Sequence, residues 1–426
     1  MKCGPPLTSL ESRSMMIKKK TRLFSTSVAV AVLALVASGC SSTVTGAGGG
    51  SDDSTGPIKI GGVFPLTGGA AANGDWATLG AELAVEEINE DGGIDGRQVE
   101  LVLGDDELVP TKSVTEMTRL INQEKVDIVL GPLASDPVLA TLPMIQSNQV
   151  PNIMGAGSEK VTPDIAPYSF SWTINASTQA MQMVNAAIDQ GATRIAILND
   201  AGTQGRTAAA AMEERIEESG ATLAGVQEMT IDNTDVTPQL LSLRKSEPDA
   251  VLLFPVNATD TGRVLQQLAE LNWDVPVVGS YGTTFSDAVK KIAGEDAYKN
   301  TSAVTFASFS ACSADTVLET TETFVEKVNE FDAKRASTAA FDGVAQTYDA
   351  VYIMKAAIEA TGSTDAQKIA DWIIEDGAEW AGSSNLVNQT IEPSTQSRFL
   401  YGPDALALVD PGTQVAPSIF QRADCS

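Results

Sequence analysis

The sequence predicts an α/β protein built of two doubly wound, mostly parallel-sheet lobes. Short apolar runs alternate with amphipathic stretches, and the alternation begins twice along the chain. Length agrees: about 370 residues follow a Gly/Ser-rich segment near the N-terminus, more than one ordinary core holds and comfortable for two.

In the first unit, IKIGGVF at 58–64 is an apolar run and so a buried strand. A Gly/Ala loop follows, then a helix on which Ala81, Ala84, Val85 and Ile88 recur at i, i+3, i+4 and i+7, ended by Asp91-Gly92-Gly93. Strands at 99–103, 126–130 and 150–154 then alternate with helices at 112–122 and 137–147. Strand–helix–strand order of this kind gives a parallel sheet with helices on both faces. The second unit starts at RIAILN, 194–199, followed by a helix at 207–219. Segments 222–229, 236–245, 250–254, 262–271 and 276–279 continue it. Beyond Ser302 the pattern is helical at 317–331, 344–360 and 366–375, and a short strand at 405–409 is expected to close the chain. In such sheets ligands bind at the carboxyl ends of the strands.

The N-terminal segment reads as an address rather than structure. Lys18, Lys19, Lys20 and Arg22 precede ten residues, 28–37, without a polar side chain, too few for a spanning helix, which needs about 20. The exit Ala37-Ser38-Gly39-Cys40 resembles a bacterial lipobox, with Ala37 where leucine is usual. The expectation is a signal peptide over 1–39, a diacylated Cys40 and a flexible Gly/Ser tether over 40–56, with translation starting at Met15 or Met16. The other reading of Cys40 is a coincidental cysteine behind an ordinary signal peptide.

Charge and composition exclude several functions. The chain carries −27; losing residues 1–39 takes away six basic and one acidic side chain, leaving 22 against 54, or −32. Such a surface repels phosphate backbones, so no nucleic-acid partner is expected. There is no histidine, which removes Ser-His-Asp catalysis and histidine metal sites together, and no Ser-Lys or paired-acid constellation is visible. Neither enzyme activity nor a cofactor or metal is expected. Asp105-Asp106-Glu107 lacks the ligand spacing of a calcium loop, and the glycines at 46–50 follow no strand. Once Cys3 and Cys40 are set aside, Cys312 and Cys425 remain; in an exported chain a disulfide between them is expected, the alternative being two free thiols.

A resemblance sharpens this reading. Ile60-Gly61-Gly62-Val63-Phe64-Pro65-Leu66-Thr67-Gly68, then residues 80–89 (GAELAVEEIN), then Gly92-Gly93-Ile94-Asp95-Gly96-Arg97 and Asp105-Asp106 follow one another in order. With weaker matches at 131–135, 155–158, 194–198, 278–280 and 347–350, they resemble the leucine/isoleucine/valine-binding family of type I periplasmic binding proteins. The resemblance covers roughly 57–410. It implies two lobes joined by three crossovers, near 172–175, 304–306 and the stretch before Tyr401, closing on a small ligand like a clamp. Lobe 1 is then 57–172 with 305–395, and lobe 2 is 173–304 with 396–426.

It also implies a monomer that hands an amino acid or similar solute to the permease subunits of an ABC importer. A ligand-sensing lipoprotein presenting its closed form to a membrane receptor is the alternative. An α-carboxylate would meet Ser135, Ala156 and Ser158, and a hydroxyl beside a helix start is a reasonable anion site, though a loop serine can equally be a helix cap. Tyr281 stands where amino-acid binders of the family carry the acid that holds the ammonium group. Asn73 and Gln204 stand where leucine binders have tyrosines. Either Asp106, Asp200 or Asp342 substitutes for the missing acid, or the ligand is not a standard α-amino acid. Trp76 either roofs the cleft or packs in the core or at the rim.

Overall fold

The structure, a computed structural model, describes residues 56–425 except Asp232, Val256 and Gln389. The expected leader, Cys40 and the tether up to residue 55 lie outside the described residues.

The first sheet begins with β1 (Ile58–Phe64), whose apolar side chains are all shut from solvent. Helix α1 (Ala71–Glu90) returns the chain to β2 (Val99–Asp105), parallel to β1. The glycines expected to stop α1 do so: Gly92 and Gly93 both have positive φ, where side chains are strained. The last turn of α1 is pinned to the sheet by Asn89, whose amide exchanges two hydrogen bonds with the Val99 backbone, 2.7 and 2.9 Å. Helix α2 (Pro110–Arg119) leads to β3 (Ile128–Leu133), and α3 (Ser135–Asn148) to β4 (Asn152–Gly155) and β5 (Ser169–Ile174).

The second sheet is built from α4 (Ala176–Asp189), β6 (Arg194–Asp200), α5 (Thr203–Ser219), β7 (Thr222–Met229), α6 (Thr237–Arg244) and β8 (Ala250–Phe254). It continues through α7 (Ala258–Glu270), β9 (Val277–Gly279), α8 (Ser286–Ala293), β10 (Thr301–Phe306) and the two-residue edge strand β11 (Ser310–Ala311). The chain then returns to the first lobe with α9 (Glu319–Phe331), α10 (Ala333–Ala336), α11 (Phe341–Thr361), α12 (Ala366–Glu375), α13 (Gly377–Gly382) and β12 (Phe399–Tyr401). Helix α11 lies so close on α1 that a Cβ at Gly80 would fall 2.0 Å from the Val344 carbonyl. Strands β13 (Leu406–Ala416) and β14 (Ile419–Arg422) complete the second sheet as an antiparallel hairpin.

The strand orders are β12-β5-β4-β3-β1-β2 and β11-β14-β13-β10-β9-β8-β6-β7. Two doubly wound units are what the alternation predicts. Three details correct the expected boundaries. Strand β5 continues to Ile174, β10 and β11 keep the second sheet going to Ala311, and β12 pairs with β5, so the third passage follows Tyr401 rather than preceding it. The expected terminal strand at 405–409 is longer and is not the last. Asp410-Pro411-Gly412 suggests a stop, but the chain absorbs them as a register shift and pairs on through β14. Cys312 and Cys425 are bonded, Cα atoms 5.3 Å apart, tying the residue after β11 to the chain end beyond β14.

Candidate functional site

The carboxyl ends of both sheets meet over a cavity with a free volume of about 50 Å³, the space of a few water molecules in this closed arrangement. Four aromatic side chains frame it: Trp76 from the first turns of α1, Trp172 from β5, and Tyr281 and Phe285 from the loop between β9 and α8. Trp76 and Phe285 meet across the cleft with ring centroids 4.8 Å apart, and Tyr281 lies edge-on to Phe285 at 5.8 Å. Trp76 therefore both roofs the cavity and packs against the opposite lobe.

Of the residues singled out in the sequence, Asn73, Gln204 and Tyr281 stand on the cavity wall. Ser135, Ala156 and Ser158 do not; they form a buried layer directly behind Ala134 and Gly155, which do. In that layer the Ser158 N–H donates to Ser135 Oγ at 3.0 Å, and the Ala156 carbonyl accepts from Ser171 Oγ at 2.7 Å. Ser135 opens α3, so first-turn N–H groups of that helix lie beside the wall.

The closed arrangement is held by polar contacts between the lobes. Asp136 in the first turn of α3 accepts from the Thr203 N–H at 3.0 Å and from the Thr203 hydroxyl, and so caps α5 of the opposite lobe. Ser158 Oγ lies 3.1 Å from Thr207 Oγ1, and the Gly157 N–H donates to Gln204 Oε1 at 3.3 Å.

The three acids considered as ammonium partners are all off the wall. Asp106 is occupied, accepting from Leu108 N–H at 2.9 Å and Ser113 Oγ at 2.8 Å. Asp200 accepts from Gly202 N–H at 2.7 Å through one oxygen, while its other oxygen is buried without a partner. Burial, with Asp260, Asp136 and Glu228 adding to it, pushes its pKa up to about 7. Asp342 likewise has one buried oxygen unpaired and is pushed up to about 7 by burial. Burial, reinforced by the charges of Asp342 and Asp200, raises the Tyr281 phenol to about 12, so it remains a neutral hydroxyl.

Residues not picked out in the sequence as ligand contacts complete the wall: Trp172 and Thr173 at the end of β5, Phe285, and Gln346 and Thr347 from α11. Trp172 is only 1 % exposed, yet its indole N–H finds no protein acceptor among the described residues; the amides of Asn73 and Gln346 are also without protein partners. A buried tryptophan N–H usually has a partner, which is the one signal that singles Trp172 out. Among the described residues, the single cluster with metal-ligand spacing is Cys312, Asp424 and Cys425, and its two thiols are consumed in the disulfide.

Residues 57–381 match the family described as periplasmic binding protein. A Leu/Ile/Val-binding protein, BraC3, of Rhizobium johnstonii is 27% identical over 362 residues, covering 83% of this chain and 93% of its own. Among solved structures, a type 1 periplasmic binding protein from Bordetella pertussis superposes with a TM-score of 0.73 at 22% identity, over 83% of this chain and 96% of that one. A solute-binding protein of an ABC transporter from R. palustris, solved with 4-hydroxybenzoate, gives 0.73 at 19% identity, over 85% and 95%. The likeness to these structures is one of fold.

Proposed function

This chain belongs to the periplasmic binding protein family, and from that premise we propose that it is a lipid-anchored solute receptor that delivers a small ligand to an ABC importer. Proteins of this family are binding components of transporters, not enzymes. The ligand class on this reading is an amino acid, branched-chain ones included, or a related amide or carboxylate. The observation that carries it is the cavity closed between two sheets, walled by four aromatic rings and by polar groups without protein partners. Such groups are satisfied by a bound solute or by water that it displaces.

The mechanism follows from the three passages between the lobes. Opening separates Trp76 from Phe285 and Asp136 from Thr203; ligand entry and closure bring them back. Ser135, Ala156 and Ser158 on this reading orient the loops that face the carboxylate, while Asn73, Gln204 and Tyr281 touch the rest of the ligand. Membrane attachment through Cys40 is supported by the basic, apolar and small-residue succession before it.

A thermal-shift screen of the purified protein against amino acids, amides and small carboxylates tests the binding function. A true ligand at about 100 times its Kd adds about 2.7 kcal/mol of stability and raises Tm by a few degrees. A flat response across all three classes sinks the reading. Cys40→Ser should move the protein from the membrane fraction to the soluble one.

A further inference from the structure

The cavity wall, among the described residues, holds no Asp, Glu, Lys or Arg. Its unpartnered polar groups are the Trp172 N–H and the amides of Asn73 and Gln346. The Trp172 N–H lies over Gly155: a Cβ at that glycine would sit 3.0 Å from Nε1, so the absence of a side chain leaves the indole edge open. Ala134, next along the wall, leads straight into the first turn of α3. The Trp172 N–H and the N–H groups of Ser135 and Asp136 (Pro137 has none) thus lie along the Gly155 and Ala134 stretch of the wall, while Trp76, Tyr281 and Phe285 supply its ring surface.

A ligand ammonium has no ionised partner in this enclosure. Neutral amide and phenol oxygens can accept its hydrogen bonds but do not neutralise its charge, and closure removes the water that would screen it. The two buried acids whose field reaches Tyr281, Asp200 and Asp342, stand behind the wall.

We propose that this cavity selects a small apolar carboxylate without an α-ammonium group, its carboxylate held by the Trp172 N–H and the first-turn N–H groups of α3, its hydrocarbon part between Trp76, Tyr281 and Phe285. The proposal rests on the solute-binding reading and narrows it. Trp172 becomes a ligand contact, and Tyr281 becomes the residue that turns the site away from amino acids.

Isothermal titration with two pairs that differ only in the ammonium group provides the test: 4-methylpentanoate against leucine, and 3-phenylpropanoate against phenylalanine. In at least one pair the plain acid should bind about tenfold or more tighter than the amino acid. Trp172→Phe keeps the ring and loses the donor, so it should weaken the acid about tenfold. Tyr281→Glu returns a carboxylate to the wall and should reverse the preference toward the amino acid. If Trp172→Phe melts well below the parent, that reversal carries the test instead. Amino acids binding tighter than both plain acids, or an unchanged preference in Tyr281→Glu, overturns the proposal and leaves the solute-binding reading standing. No binding by either member of both pairs also overturns it, and the broader screen then decides separately whether the protein is a receptor at all.

Discussion

The two seams along which the lobes meet are built of different materials. On one side, α3 and the loop after β4 face α5 through Asp136–Thr203, Ser158–Thr207 and Gly157–Gln204, all hydrogen bonds. On the other, Trp76 meets Phe285, and the rings continue through Tyr281 and Phe306 to Tyr401, the last residue before the third passage. Hydrogen bonds are directional and are replaced by water when the lobes part, so their net contribution is modest. Apolar contact is less directional but gains from every square ångström removed from water. The polar seam fixes how the lobes register, and the aromatic seam supplies most of the attraction.

That division of labour can be broken at three points. The largest effect is expected from Trp76→Ala, which removes a ring 4 % exposed and opens the cavity roof; replacements of this kind cost about 3–5 kcal/mol. Ligand affinity in calorimetry should fall at least about a hundredfold, and a loss under threefold would mean that the aromatic seam does not drive closure. A smaller effect is expected on the polar seam. Asp136→Ala or Thr203→Ala should each weaken binding about tenfold, the cost of a lost helix cap. Because the two residues share one interaction, the double variant should be little worse than either, and full additivity would show that they act separately.

The smallest effect is electrostatic. Asp342 keeps its proton to about pH 7 in the folded protein, whereas a solvated aspartate starts to lose it near 3.8. The folded state thus binds more protons than the unfolded chain between these values, and stability falls as pH rises from about 4 through 7. Asp342→Asn removes this contribution, so its stability relative to the parent should be greater at pH 8 than at pH 4. Denaturant titrations at both pH values measure it; equal gains at both would rule out titration as the cause.

The fold was legible where burial and composition agree. β1, β6 and β8 are each built around Ile, Val, Leu or Phe, and the Gly92-Gly93 stop needs no context. β5 escaped because it reads SFSWTI: it is buried along its length, yet Ser169, Ser171 and Thr173 break the apolar run that marks a strand. β10, TSAVTF, escaped for the same reason. The candidate site was half legible. Topology places the site at the carboxyl ends of the strands, and the family resemblance points to the loops after β3 and β4; Ala134 and Gly155 of those loops stand on the wall, with the serines behind. Gln346 reaches the wall from α11, more than 170 residues beyond Trp172 in the chain, and its interior position on a helix gives no local sign of this. Asp342, offered by the sequence as an ammonium partner, stands off the cavity wall, and that placement depends on how α11 meets Trp76 and Phe285.

The pairing of β12 with β5 has a consequence for a chain delivered amino end first, whether from a ribosome or across a membrane. Everything else in the first sheet is available once residue 174 has emerged, but the partner of β5 is not made until residues 399–401 follow. Until then β5 is an unprotected edge without a charged side chain, with Phe170, Trp172 and Ile174 along one face, the kind of strand that recruits a neighbouring molecule. The nascent first lobe is therefore at its most aggregation-prone for more than half of the chain's delivery, and a truncation before Phe399 would leave it so permanently.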